Sequence, residues 1–509
     1  MAGVLDSVNR IVWGVPALVL ILGVGLYVSV WTGFIQFRLF PRALREFIRK
    51  MTTGSTSFRA LCTALAATVG TGNLVGVAGA ISLGGPGAIF WMWICAILGM
   101  ATKYAEATLA VRFRILHHGE YTGGTMYMIN MGMGDRWHWL AGIYSFFGVV
   151  AAFGVGNATQ INAVIAGFNR LMIIYGGKCS SERDLAMGIV LAVIIGTMLF
   201  GGAKRIGLVA ERLVPFMSGT YIVLCIGVLI FRADAVIPSL LAIIQGAFTP
   251  EAVTGGVIGS ALQAVRIGVS RGVFTNEAGM GTASIAHAAA EVRHPAEQGM
   301  MGIMEVFLDT VVICTLTALV ILCSGVEIPY GVDAGGTLTA DAFCAVYGGW
   351  ASGFLALAIC CFAFATVLGW GLYGARCAQY LFGPQSWNLF AYMQIAVVVL
   401  GSVLRTGTVW SFAETVNGLM AIPNVIALVL LMPELRRLTI EYFNVCGSWA
   451  AGGTYENLDQ CKPLPAFSHA KVSSLCGGSQ ATGKENLSSE YRSAGPSHSS
   501  GLSGGNPQL

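Results

Sequence analysis

Long apolar stretches recur along the chain, divided by short polar connections, as far as about residue 432. Each approaches the roughly 20 residues that carry a helix across a bilayer. The pattern predicts eleven spans, at 11–33, 61–82, 87–110, 138–166, 185–202, 212–231, 254–290, 301–324, 350–378, 388–404 and 410–432. Two of them break up internally. Residues 61–82 read LCTALAATVGTGNLVGVAGAIS, and 254–290 read TGGVIGSALQAVRIGVSRGVFTNEAGMGTASIAHAAA. A helix in lipid bonds its own backbone, so glycine and polar clusters at mid-depth survive only where the freed N–H and C=O groups line a cavity or hold a ligand. Residues 254–290 are too many for one straight span at about 1.5 Å per residue, and two half-helices meeting near the midplane fit better. One interrupted segment opens each half of the chain, which points to a transporter's binding site.

Basic residues orient the spans. Arg38, Arg42, Arg45, Arg49, Lys50 and Arg59 follow the first span, Arg112, Arg114 and Arg136 the third, Lys204 and Arg205 the fifth, and Arg436 and Arg437 the last. All fall on one side if eleven helices alternate, whereas 325–349 contains no Lys or Arg. The N-terminus is therefore expected outside and the C-terminus in the cytoplasm. Setting the first span aside leaves two sets of five, and an odd number per set inverts the second. The expected fold is an all-α integral membrane protein with one extra helix and two inverted five-helix repeats, each with a broken first helix. The expected organisation is 1–58 for the extra helix and a basic cytoplasmic loop, 59–253 and 254–433 for the two repeats, and 434–509 for a polar, disordered cytoplasmic tail rich in Ser, Gly and Asn.

Composition agrees: 55% of residues are hydrophobic and only 11% charged, with a mean hydropathy of +0.71. The first span has no small-residue cleavage site soon after it and reads as a retained helix. Of thirteen cysteines, Cys62, Cys95, Cys225, Cys314, Cys323, Cys360, Cys361 and Cys377 sit within or at the ends of apolar segments, where the thiol acts as a small hydrophobe. No CxxC pair offers zinc spacing. No HExxH or Walker A loop is present. The chain reads as no enzyme, without cofactor or nucleic-acid partner, and a gradient must supply the driving force.

Candidate chemistry gathers at the interruptions. In Val69-Gly70-Thr71-Gly72-Asn73, two glycines let the backbone leave the helix and approach a small ligand. The half-helix after Asn73 would aim its N–H groups at the midplane, a site for a carboxylate. The carbonyls just before, from Ala66 through Val69 to Gly70, can face a cation; packing of Gly72, Gly76 and Gly79 against a neighbouring helix is the alternative. In the second interrupted segment Gly268, Ser270, Arg271 and Gly272 are expected near mid-depth. Asn276 and Glu277 follow, with Glu277 pairing Arg271 as a gate or as a structural ion pair. Asn157 and Gln160 share a helical face and suit a zwitterion, or else bond neighbouring helices. Thr366 and Trp370 share another face, the first offering an oxygen to sodium and the second a lid. Lys103, Glu106, Glu305, Asp309, Arg376 and Glu414 are further intramembrane charges; snorkelling accounts for several near helix ends, and Asp309 is the deepest, open to a proton or sodium path.

The runs GTGNLVGVAGAI at 70–81, KYAE at 103–106, RGVFTNEAGMGTASIAHAAA at 271–290 and FAFATVLGWGLYG at 362–374 resemble the alanine or glycine:cation symporters over roughly residues 5–440. The resemblance implies an amino-acid transporter core in a prokaryotic cell membrane, carrying alanine, D-alanine or glycine with sodium or, in some members, protons. It implies substrate contacts at Thr71, Gly72, Asn73, Gln160 and Trp370, and an ion contact at Thr366. The sequence departs from the family pattern at Ala365, Gly371, Leu372 and Ala375, losing a serine hydroxyl beside Thr366, and has Ser284 where a proline is usual. A proton-coupled or uncoupled carrier, or a sensor that binds without transport, stays open at this stage.

Overall fold

The computed structural model describes residues 14–117, 119–258, 260–404, 406–450 and 467–468. The chain divides into Met1–Ser468 and His469–Leu509, and every described residue belongs to the first. Each of the eleven predicted segments contains helix. In chain order, α1 is Val15–Trp31, α2 Phe40–Thr53, α3 Thr56–Thr68, α4 Val75–Gly84 and α5 Gly87–Arg112. Next come α6 Asp135–Ile174, α7 Ser181–Leu199, α8 Gly202–Phe231, α9 Ala233–Phe248, α10 Ala261–Asn276 and α11 Ala283–His287. The remainder are α12 Pro295–Cys323, α13 Gly335–Tyr347, α14 Trp350–Phe382, α15 Ser386–Val403, α16 Thr406–Leu430 and α17 Met432–Ala450. Among the described residues, α5, α6, α8, α12, α14 and α15 are each long and apolar enough to cross a bilayer alone. The pair α3 and α4 does so with a 59° bend.

Local chemistry sets the ends. Gly54 stops α2 in the left-handed region at φ 60°, and Ser55 then caps α3 by accepting the Phe58 N–H at 3.2 Å. Pro295 starts α12 behind His294, whose ring accepts the Ala296 N–H at 3.2 Å. The interior is helix on helix around α3, α5, α12 and α14. The periphery stays apolar: Phe216, Val223 and Ile230 on α8 are 70%, 67% and 69% exposed, a face that only lipid covers favourably.

Three features depart from the expected plan. Helices α9 and α13 occupy stretches read as connections; both are too short to span straight, so their apolar runs passed beneath the length criterion. A hairpin, β1 Ile115–His117 with β2 Glu120–Thr122, pairs Ile115 with Thr122, and a short parallel strand, β3 Phe467–Ser468, lies beside β1. The polar tail expected from 434 instead opens with α17, which buries Leu435, Leu438 and Tyr442; its arginines hid an amphipathic face that packs inward. The rest of that stretch, 451–466 and 469–509, lies outside the described residues.

Candidate functional site

The first break begins at Val69, which leaves the helix at ψ 88°, followed by Gly70 in extended backbone. The Gly70 N–H turns to Asn73 Oδ1 at 2.9 Å, away from the ladder that would carry it to the Ala66 carbonyl. A tight turn over Thr71–Asn73 then leads into α4, and its first N–H groups precede their own acceptors. Gly70 is demanded by proximity: a methyl there would stand 2.5 Å from Thr366 Oγ1 and 3.6 Å from Gln160 Oε1. The Asn73 amide donates to Asp309 Oδ1 at 2.7 Å.

Gln160 is aimed by a π-helical turn, Gly154–Ala158, inside α6. Such a turn displaces backbone pairing, and the Val155 carbonyl accepts from Thr159 Oγ1 at 2.8 Å and Gln160 Nε2 at 3.1 Å. The other end of the amide, Oε1, accepts the Thr71 hydroxyl at 2.9 Å. The same turn brings Gly156 against Trp370, where a Cβ would collide with the indole. Trp370 Nε1 donates to Glu277 Oε1 at 3.0 Å.

The second break runs from Glu277 to Thr282. Glu277, Gly279 and Gly281 have φ of 53°, 92° and 76°, so no helix passes through them. Neighbours hold the loop. Glu106 Oε1 of α5 accepts the Gly279 and Gly281 amides at 3.0 Å each, and Asn424 of α16 donates to that oxygen at 2.7 Å and to the Gly279 carbonyl at 2.9 Å. Glu277 also accepts from Thr282 Oγ1 at 2.6 Å. The Asn276 amide reaches Thr310 Oγ1 at 3.3 Å, and Thr310 donates to Asp309 Oδ2 at 2.8 Å. Both breaks thus lean on the dipeptide Asp309-Thr310, within a π-helical stretch of α12.

Thr71, Asn73, Gln160, Thr366, Trp370 and Glu277 are all buried and line neither of two cavities that flank them. The larger, about 480 Å³, touches Gly76, Arg170, Arg271, Phe274 and Asp333, and α14 at Ser352–Ile359. The smaller, about 260 Å³, touches Thr56–Thr63, Glu120, Lys204 and Glu291, and α14 at Leu372 and Arg376. Along α3–α4, α10–α11 and α14 alike, the buried centre lies between the two cavities. It is a small, buried polar cluster.

The sequence pattern of the sodium:alanine symporter family matches residues 1–448. The chain belongs to this family. A sodium/alanine symporter of Methanococcus maripaludis is 42% identical over 84% of this chain and 94% of its own. An uncharacterized transporter of Haemophilus influenzae is 42% identical over 86% and 96%, and a probable sodium/glutamine symporter of Bacillus subtilis 37% identical over 83% and 87%. This member of the sodium:alanine symporter family is accordingly a multi-pass membrane protein of a transporter family, not of an enzyme family.

The structure brings together most of the predicted site residues of this symporter-family chain and corrects others. Gly268 and Ser270 lie on unbroken α10, about two turns before the break. Gly268 is there for packing, since a Cβ would strike Ala88 and Trp91 of α5. Arg271 lies 3.9 Å from Asp333 at the larger cavity, not against Glu277, because the left-handed turn at Glu277 swings its carboxylate toward Trp370. Asn157 points away from Gln160, donating to the Gln394 carbonyl of α15 at 2.8 Å: the π turn adds a residue and splits the face.

Snorkelling does not describe Lys103 or Glu305. Lys103 and Glu305 pair at 2.8 Å with side chains 0% and 1% exposed. From Glu305 a buried polar chain runs through His287 (2.9 Å) and Gln298 (2.7 Å) to Ser57 and Lys50. Glu106 and Asn424 were missed as loop anchors. The KYAE run marked Glu106, but nothing local said that a loop from another segment would fold over it.

Proposed function

We propose that this chain is a secondary active symporter that imports small neutral amino acids, namely alanine, D-alanine or glycine, together with sodium. In this reading α1 is the extra helix, and 59–253 and 254–433 are two five-helix repeats, inverted relative to each other, with the N-terminus outside and the C-terminus in the cytoplasm. The observation that carries it is the convergence of two helix breaks and the 366–370 stretch of α14 on one buried centre between two cavities. Two named relatives support it, since each name pairs sodium with a neutral amino acid.

The substrate carboxylate takes the leading N–H groups of the Thr71–Asn73 turn, where the dipole of α4 favours an anion. Gln160 Oε1, already aimed at Thr71, accepts from the ammonium. Trp370 closes over a side chain that must be small, because Gly70, Gly72 and Gly156 leave no more space. Sodium binds the Ala66 and Val69 carbonyls and Thr366 Oγ1, the hard oxygen donors it favours. With both ligands in place, sodium and the substrate carboxylate pair at the break, and one set of helices rocks against the other to open the opposite cavity. Arg271 and Asp333 meet at the mouth of the larger cavity, and Asn276 and Glu277 shape the inner wall.

The test is labelled alanine uptake into proteoliposomes, with an inward sodium gradient or with potassium in its place. Accumulation with sodium alone supports the symporter. Uptake indifferent to sodium moves the reading to a proton-coupled or uncoupled carrier, with Ala365 the first residue to examine. No flux with alanine, glycine or glutamine overturns it.

A further inference from the structure

Where α1 ends and α17 passes, two arginines far apart in sequence face one cleft. Arg38 lies over the Phe443 ring, 4.4 Å from guanidinium carbon to centroid, and Arg436 lies over the Trp31 ring at 5.5 Å. Each cation is thus shelved on an aromatic of the other's neighbourhood, which holds the guanidinium plane and keeps its N–H donors outward. Among the described residues no carboxylate lies within 4 Å of either; the acids of α17 are engaged elsewhere, Glu434 by Arg112 and Arg437, and Glu441 by Arg437. Between the arginines is a cleft of about 340 Å³, walled by Val30, Trp31, Ile440 and Phe443 and floored by Thr32 and Thr439. Both hydroxyls donate back to their own helices, Thr32 to Val28 and Thr439 to Leu435. Above the cleft the apolar flank of α1 continues outward, with Leu26 and Val30 50% and 58% exposed.

We infer that this cleft is a binding site for the headgroup of an anionic phospholipid. The phosphodiester sits between Arg38 and Arg436, and the acyl chains run along Leu26 and Val30. The chemistry is specific in three ways. Two guanidiniums, with no carboxylate partner among the described residues, can share the oxygens of an anionic phosphodiester. Tryptophan at the end of an apolar helix is the usual marker of the headgroup level. A basic pocket beside a lipid-facing helix selects negative headgroups over zwitterionic ones. A free phosphate offers the same oxygens but nothing for the apolar wall, so the lipid is the occupant.

The experiment uses the full chain in a neutral detergent, titrated with phosphatidylglycerol or phosphatidylcholine in mixed micelles, and read by thermal melting and by retention of lipid in native mass spectrometry. Phosphatidylglycerol raises the wild-type melting temperature and is retained; phosphatidylcholine does neither. Arg38→Gln and Arg436→Gln each weaken phosphatidylglycerol binding by about fivefold and together by about 25-fold, while Arg45→Ala on the exposed face of α2 leaves it unchanged. Glutamine keeps part of the stem on the aromatic shelf, so the variants fold; should the pair melt early without lipid, the single variants and the Arg45→Ala comparison still decide. Equal binding of the two lipids, an unchanged affinity in the arginine variants, or the same stabilisation by inorganic phosphate alone would each overturn the inference.

Discussion

The two helix breaks reach the same centre but are held in different ways. The first is capped from within, Asn73 folding back on Gly70, although Asp309 and Gln160 also tie it to α12 and α6. The second is held from without: Glu106 accepts the Gly279 and Gly281 amides, Asn424 donates to the Gly279 carbonyl and Trp370 donates to the Glu277 carboxylate, tying the loop to three other helices. A break with a cap of its own depends less on its neighbours for its shape. An externally tied break moves only with the helices that hold it. In the proposed cycle, binding accordingly falls to the first break and the coupling of helix motions to the second.

Removing the external hold should have the largest effect. Glu106→Ala strips the Gly279 and Gly281 amides and Asn424 of a buried acceptor, at a cost of about 3–5 kcal/mol. The variant is expected to melt far below wild type, or to fail to fold; melting like wild type would break the comparison. Asn73→Ala should abolish saturable alanine uptake, about 100-fold or more, and cost about 1–3 kcal/mol as Gly70 and Asp309 lose a partner. Gln160→Ala should abolish uptake equally and cost about 1–2 kcal/mol, because the buried Thr71 hydroxyl loses its acceptor. Uptake by either folded variant at the wild-type rate would remove that residue from the site.

Finer effects sharpen the contrast. Gly70→Ala should block uptake by driving a methyl against Thr366, and Thr366→Ala added to it should relieve the clash, which double-variant melting would report. Thr366→Ala alone should raise the sodium concentration for half-maximal uptake by about tenfold, the worth of one lost ligand near 1.4 kcal/mol. The smallest change belongs to Arg271→Ala at the cavity mouth, about threefold or less in uptake, since its partner Asp333 is half exposed and the pair is screened.

Much of this was legible in the chain, and the failures have physical causes. The first break could be placed because GTGN concentrates its causes, two glycines and an internal cap, within a few residues. Thr366 and Trp370 followed from spacing on an unbroken helix. The second break was put too early because Gly268 and Gly272 look the same in sequence as hinge glycines, although a helix uses them to approach α5. What separates the two uses is φ: Glu277, Gly279 and Gly281 need the left-handed region. Gln160 was found for its polarity, but its separation from Asn157 depends on a π turn that a regular helical wheel omits. Glu106 was lost because its meaning lies in another segment's backbone.

The inequality of the two cavities gives the molecule a pharmacological handedness. A small amino acid would rattle in the larger one, about 480 Å³, a volume in the range that accommodates drug-sized compounds. A molecule with an amino-acid head and a bulky tail would wedge between Arg271 and the wall of α14 and stall the cycle from that face. The smaller cavity, about 260 Å³, falls short of that range and would refuse the same tail. Such a blocker would act from one side of the membrane only, so the side on which it works would itself report which way the protein is mounted.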